Sequence, residues 1–112
     1  MTTITPVQLV APQQLGASDA SLYSPGTNSS AQVGRVVFTN TTSSAVTITA
    51  GITTGSALGA SDIMISARTL APGEAYVSPE LAGQVIPFGS QLHAYASAAS
   101  AVTVVASGIV IQ

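Results

Sequence analysis

The chain has 112 residues, which is enough for one domain and too few for two. Only 5% of residues are charged, against roughly 25% in an average domain, while 46% are hydrophobic and mean hydropathy is +0.52. A disordered chain is excluded by that hydropathy, a basic nucleic-acid surface by a cation inventory of Arg35 and Arg68 alone, and thiolate zinc sites and disulfides by the absence of cysteine.

The first 32 residues are broken by Pro6, Pro12, Pro25, Gly16 and Gly26 into short extended pieces. Two strands are expected there, Ile4–Val10 and Leu22–Ser24. Residues 1–20 are expected to form an extended N-terminal arm. Ile4, Val7, Leu9, Val10 and Leu15 are its candidate assembly contacts, because an apolar arm left in water costs about 25 cal/mol per Å². Residues 21–112 then make the single folded domain. The opening MTTITPVQLVAPQQL has neither the positive start nor the apolar run of a secretory leader.

Further on, the governing signal is period two. Val33 to Asn40 is a strand-length run of β-branched and aromatic residues. Val46, Ile48, Ala50 and Ile52 alternate with Thr47, Thr49 and Gly51. The intervening Asn40-Thr41-Thr42-Ser43-Ser44 reads as a hairpin loop. Gly51 to Ser61 is a loop, and Ile63, Ile65 and Ala67 mark another strand. Leu70-Ala71-Pro72-Gly73-Glu74 predicts a type II turn, since Pro presets φ and Gly accepts positive φ. A short strand, Glu74–Ser78, ends at Pro79, and Val85 to Ser90 is a second Pro/Gly corner. Leu92 to Ala96 and Ala101 to Ile111 close the chain as a second expected hairpin around Ser97–Ser100.

Ser44-Ala45-Val46-Thr47-Ile48 is echoed by Ser100-Ala101-Val102-Thr103-Val104. Nothing repeats at i, i+3, i+4, i+7, so no helix is expected. The fold class is therefore all-β: an antiparallel β-sandwich, jelly-roll or Ig-like, of 7 or 8 strands. The expected core is Val36, Phe38, Val46, Ile48, Ile63, Ile65, Val77, Leu92, Val102 and Val104. No membrane helix is predicted, because the longest apolar stretch, Ala101 to Ile111, is far short of about 20 residues and is interrupted by Thr103, Ser107 and Gly108.

The chemistry-bearing residues are few. A serine hydrolase needs nucleophile, histidine and carboxylate. Here His93, with Asp19 or Asp62, lacks a G-x-S-x-G elbow, and its alternation with Leu92 and Ala94 puts it on an outward strand face. Glu74 and Glu80 read as solvated turn carboxylates rather than a glycosidase pair. Asp19 and Asp62 lack the D-x-D-x-D spacing of a calcium loop, and Gly51, Gly55 and Gly59 lack the lysine of a phosphate loop. Asn28-Ser29-Ser30 and Asn40-Thr41-Thr42 match the N-glycosylation pattern but read as turn chemistry. No catalytic, metal or cofactor residue is expected, and the chain is expected not to be an enzyme.

Leu22-Tyr23-Ser24-Pro25-Gly26, Val36 to Ile48 (VVFTNTTSSAVTI), Leu70-Ala71-Pro72-Gly73-Glu74 and Ala94 to Val104 (AYASAASAVTV) together resemble small accessory virion proteins of tailed bacteriophages. The likeness runs in order over residues 20–111. It departs at Gly34-Arg35, where an all-apolar strand is expected, and in the absence of lysine. The resemblance implies a non-enzymatic structural subunit of the virion, made in the bacterial host cytoplasm. A capsid decoration or cement protein is expected first. A neck or tail component, or a virion-borne carbohydrate- or receptor-binding module, is the alternative. A Ser/Thr/Ala surface that costs little to desolvate suits permanent docking. The expected partners are further copies of the chain, a trimer above all, and a major capsid protein or other virion protein, with no nucleic acid and no membrane.

Overall fold

The computed structural model describes residues 3–112. Nine strands follow in chain order: β1 (Ile4–Gln14), β2 (Ala20–Tyr23), β3 (Ser30–Asn40), β4 (Val46–Thr53), β5 (Ile63–Leu70), β6 (Ala75–Val77), β7 (Val85–Ile86), β8 (Gln91–Ala96) and β9 (Val102–Ile111). No helix occurs among the described residues. One sheet, A, has the order β1-β9-β3-β6, with β7 also paired to β3; the other, B, has the order β2-β8-β4-β5. Every pairing is antiparallel.

The order has a simple logic. β1, β2, β3 and β4 pair in turn with β9, β8, β7/β6 and β5, as one long folded ribbon. Rolling that ribbon adds the pairs β9–β3 and β8–β4. This is a jelly roll, an arrangement found in viral capsid and lectin domains, and it resolves the choice between jelly-roll and Ig-like sandwiches.

Two expectations about connectivity are corrected. β3 and β4 are not a hairpin, and neither are β8 and β9: each pair is split between the two sheets. A five-residue connection such as 41–45 can serve as a hairpin loop or as a crossing between sheets, and its local sequence does not select between them. Asn40 instead holds this segment as a sheet-crossing corner, its Nδ2 donating to the carbonyls of Ser44, Leu70 and Ala71. The second corner lies beside the first, with Thr41 N–H and Oγ1 both donating to Ala101 O. The sequence echo thus marks the same task done twice. Val46 and Val102 are each the first, buried residue of a strand that has just changed sheets.

The N-terminal segment is also placed differently. Residues 4–14 form β1, the edge strand of sheet A, paired with β9 from Ile4↔Ile111 to Gln14↔Thr103. The prolines are tolerated because an edge strand leaves one side of its ladder unpaired. Leu9 and Val10 are both buried, although neighbours, because the register shifts there between Gln8 and Gln13.

The core lies between the sheets. It includes Val36, Phe38, Ile48, Ile65, Leu92, Val102 and Val104, with Leu15, Leu70, Leu81 and Ile86 from the connections and strand ends. Ile63 is only half-buried. Val77 is 45% exposed, because it pairs with Val37 on the outer face while Tyr76, opposite Phe38, turns inward. A one-residue difference in parity moves a strand's whole apolar set to the other face. The predicted type II turn is present: Glu74 N–H donates to Ala71 O at 3.0 Å, and Gly73 has φ of 74°.

Candidate functional site

Three places gather the molecule's few ionisable groups and its exposed apolar surface. The first is on the outer face of sheet B. His93 does point away from the core, but it is 2% exposed and not a surface residue. Its Nδ1 lies 2.9 Å from Asp19 Oδ1, and its Nε2 lies 2.9 Å from Gln91 Oε1. Asp19 Oδ2 accepts the N–H of Leu58 at 2.7 Å, tying the 54–62 loop to the same cluster. In the neighbouring strand His93 pairs with Gly51, where a Cβ would stand 2.1 Å from the carbonyl oxygen of Asp62, so the loop end can close down only over a glycine. Burial acts to raise the Asp19 carboxyl. The Leu58 N–H, the His93 ring and the Ala20 backbone outweigh it and hold the group below the usual carboxylate range. The second ring nitrogen faces an amide oxygen, not a serine hydroxyl, so this His–Asp pair does not assemble a nucleophilic relay.

The second place is the open edge where sheet A meets sheet B. The Tyr76 hydroxyl donates to Glu80 Oε1, and Ser78 Oγ donates to the same oxygen at 3.2 Å. The Arg68 guanidinium, on β5, stands 3.9 Å from the centroid of the Tyr76 ring, on β6. The Tyr76 bond holds the Glu80 carboxyl below its ordinary value, against a smaller opposing effect of burial. Burial, then Glu80, pushes the Tyr76 phenol up. Glu80 is therefore bonded rather than solvated. Glu74 is spent separately, accepting the Ala71 N–H at 2.7 Å across its own turn. Among the described residues no three His, Asp or Glu side chains come together as a metal-binding group.

The third place is the outer face of sheet A. Register puts Ile4–Ile111, then Pro6–Ile109–Gln32–Val85, then Val105–Val37–Val77 in successive outward rows. Between the rows the strands close up. At Gly108 a Cβ would stand 2.1 Å from Gln32 O, and at Gly34 one would stand 3.2 Å from Ser107 O. This leaves a shallow depression of about 280 Å³ lined by Gln32, Val33, Gly34, Gly83, Gly108 and Ile109. Arg35, beside it, is exposed at the bulge in β3.

The five residues expected to make the assembly arm do not form one surface. Leu9, Val10 and Leu15 lie in the chain's own core, Val7 packs against that core, and Ile4 alone is exposed, at 60%. Both sequons bear on turns. Asn40 is fully buried with its amide committed to three carbonyls, and Asn28 is a turn residue at φ of 59°. The sequence did not reveal the His93–Asp19 pairing, which joins residues 74 apart.

No protein-family model matches the chain. No curated protein matches it in sequence. Its fold is nevertheless found among solved structures. The infectious bursal disease virus VP2 subviral particle superimposes with a TM-score of 0.53 at 19% identity over 98% of this chain. The Gx and Gt strains of the same virus give TM-scores of 0.54 and 0.51 at 18% and 16% identity, over 99% and 98% of this chain. At these identities the likeness is one of fold. The chain spans about a third of the length of the structures it matches, 32% of the VP2 chain in the subviral particle.

Proposed function

We propose that this chain is a structural subunit of a virus particle, a jelly-roll unit that works in many symmetric copies. The observation that carries this reading is the fold: nearly the whole chain, 98%, follows part of a protein solved as a subviral particle. The surface supports it. With 6 charged side chains in 112 residues, burial against neighbours strips few ions of water.

Within that class, the resemblance described above points to a decoration or cement protein on the head of a tailed bacteriophage, held by a major capsid protein. Such a subunit adds stability by joining neighbours across a closed lattice, so its own contacts must repeat with symmetry. Immunogold electron microscopy of purified virions from the genome that encodes the chain tests the reading. Label over the whole head, with particles lacking the protein rupturing at lower temperature, is the expected result. Label confined to neck or tail moves the subunit there. Absence from purified virions refutes the particle role.

A further inference from the structure

A sheet edge is the least selective surface of a β protein, because any extended chain can pair with its free N–H and C=O groups. Among the described residues the edges are β1 and β6 in sheet A, with β7 also along β3, and β2 and β5 in sheet B. Many proteins guard an edge with lysine, and this chain has none.

The free side of β1 can be read rung by rung. Thr3 N–H donates to Gln112 O, and Gln112 N–H returns the bond to Thr3 O, each at 2.8 Å. The register is unbroken from Ile4↔Ile111 to Gln8↔Ser107. Backbone groups alternate in direction along an antiparallel strand, so Thr5 and Val7 bond to β9 while Ile4, Pro6 and Gln8 face away. Beyond the register shifts, Leu15 N–H donates to Val102 O at 2.8 Å and Gln13 stands opposite Val104. Gln13 therefore faces β9, and the flanking Pro12 and Gln14 face away. Both prolines of the strand fall on the rungs that an added strand would use, and proline has no N–H to give. Pro6 separates the outward donors of Ile4 and Gln8, and Pro12 separates those of Gln8 and Gln14. A strand laid against this side would bury a carbonyl opposite each proline with no donor to meet it.

The other long edge, β5, is interrupted in a different way. Its register to β4 shifts between Ile48↔Arg68 and Ala50↔Ile65, so Ser66 and Ala67 stand together opposite Thr49. Ala67 has φ of 46°, in the left-handed region that alanine rarely adopts, and its N–H donates to Thr49 Oγ1 at 3.1 Å. A bulge of this kind bends and twists an edge out of line. Arg68 follows it, exposed, with its guanidinium over the Tyr76 ring. The remaining edges are short. β2 has 4 residues and a register shift of its own, β6 has 3 residues and β7 has 2.

We propose that this jelly roll is built to refuse strand addition, with Pro6 and Pro12 barring β1 to a second copy of the chain and the bulge at Ala67 barring β5. A second copy is the strand source kept out, because two β1 edges meeting antiparallel about a two-fold axis would run sheet A on from one copy into the next. A chain with 46% hydrophobic and 5% charged residues has little else to prevent such pairing. Contacts with further copies or with a larger partner then fall to the sheet faces and the corners. Strand exclusion goes beyond the particle reading and does not depend on it.

Sedimentation velocity and amide hydrogen exchange of the full chain test this, with Pro6→Thr/Pro12→Thr as the variant. It restores two outward donors and leaves the side bonded to β9 unchanged. In the unaltered protein the Ile4 and Gln8 amides are expected to exchange freely even at high concentration, while Val7 is protected. The double variant is expected to self-associate about tenfold or more tightly than the parent, with Ile4 and Gln8 gaining protection as it does so. Slow exchange at Ile4 and Gln8 in the unaltered protein overturns the proposal, because β1 is then already paired. So does a folded double variant that associates no more than the parent, or one that associates with those two amides still free. Should the double variant misfold, exchange at Ile4 and Gln8 in the unaltered protein decides alone.

Discussion

Asn40 is where a single side chain joins the two sheets, and replacing it gives a sharp test of the corner. Its Nδ2 donates to Ser44 O at 2.8 Å, Leu70 O at 3.1 Å and Ala71 O at 3.2 Å. Its Oδ1 accepts from Thr42 N–H at 3.0 Å and from Thr42 Oγ1 at 2.7 Å. In Asn40→Ala the bond to Leu70 O, which is buried, is lost without replacement, at about 1–3 kcal/mol. The Ser44 and Thr42 groups are only partly buried and recover water, so they add about 0.5 kcal/mol each. The sum is about 3 kcal/mol. With a urea m-value of about 2 kcal/mol/M, the unfolding midpoint falls by roughly 1.5 M at unchanged slope. Asn40→Asp is the discriminating variant. It keeps the shape and the Thr42 acceptor but turns a carboxylate oxygen toward three carbonyls, so at pH 7 it loses at least as much as Asn40→Ala. If Asn40→Asp unfolds within about 0.5 kcal/mol of the parent, the amide is not donating and the account of the corner is wrong.

Deleting residues 1–20 removes Leu9, Val10 and Leu15 from the core and leaves β9 an open edge. At about 2 kcal/mol for each buried side chain the loss approaches the whole of a small domain's stability, so circular dichroism of the truncated chain is expected to show no cooperative unfolding. Gly108→Ala puts a Cβ against backbone at 2.1 Å, whereas Gly34→Ala meets it at 3.2 Å. The first is expected to cost more than about 3 kcal/mol and the second clearly less, read by urea titration. Asp19 and Glu80 are both held below their ordinary values. Their stabilisation is therefore complete above the unfolded carboxylate range, near pH 4, and is lost as pH falls through the lower folded values. Asp19→Asn is expected to be less stable than the parent at pH 7, with the gap closing on acidification; a gap that widens in acid would contradict the assignment.

What sequence alone determined was local. Period-two alternation located the strands, because side-chain direction repeats every two residues whatever lies across the ladder. Pro72-Gly73 specified its turn, because φ at those two positions depends on the residues themselves. The tertiary structure decided which sheet each strand joined. The Asn40 and Ser100 corners look like hairpin loops until long-range bonds, from Asn40 to Leu70 and from Thr41 to Ala101, carry the chain across. It also decided that His93 is buried on an outward face, since its cover comes from Asp19 and from the loop at Leu58. The depression was illegible for the same reason. It is made by residues 32–34, 83 and 108–109, which only the β3–β9 pairing and the Val33 O contact to Gly83 bring together. Alternation reports which way a side chain points, and burial depends on what distant chain arrives to cover it.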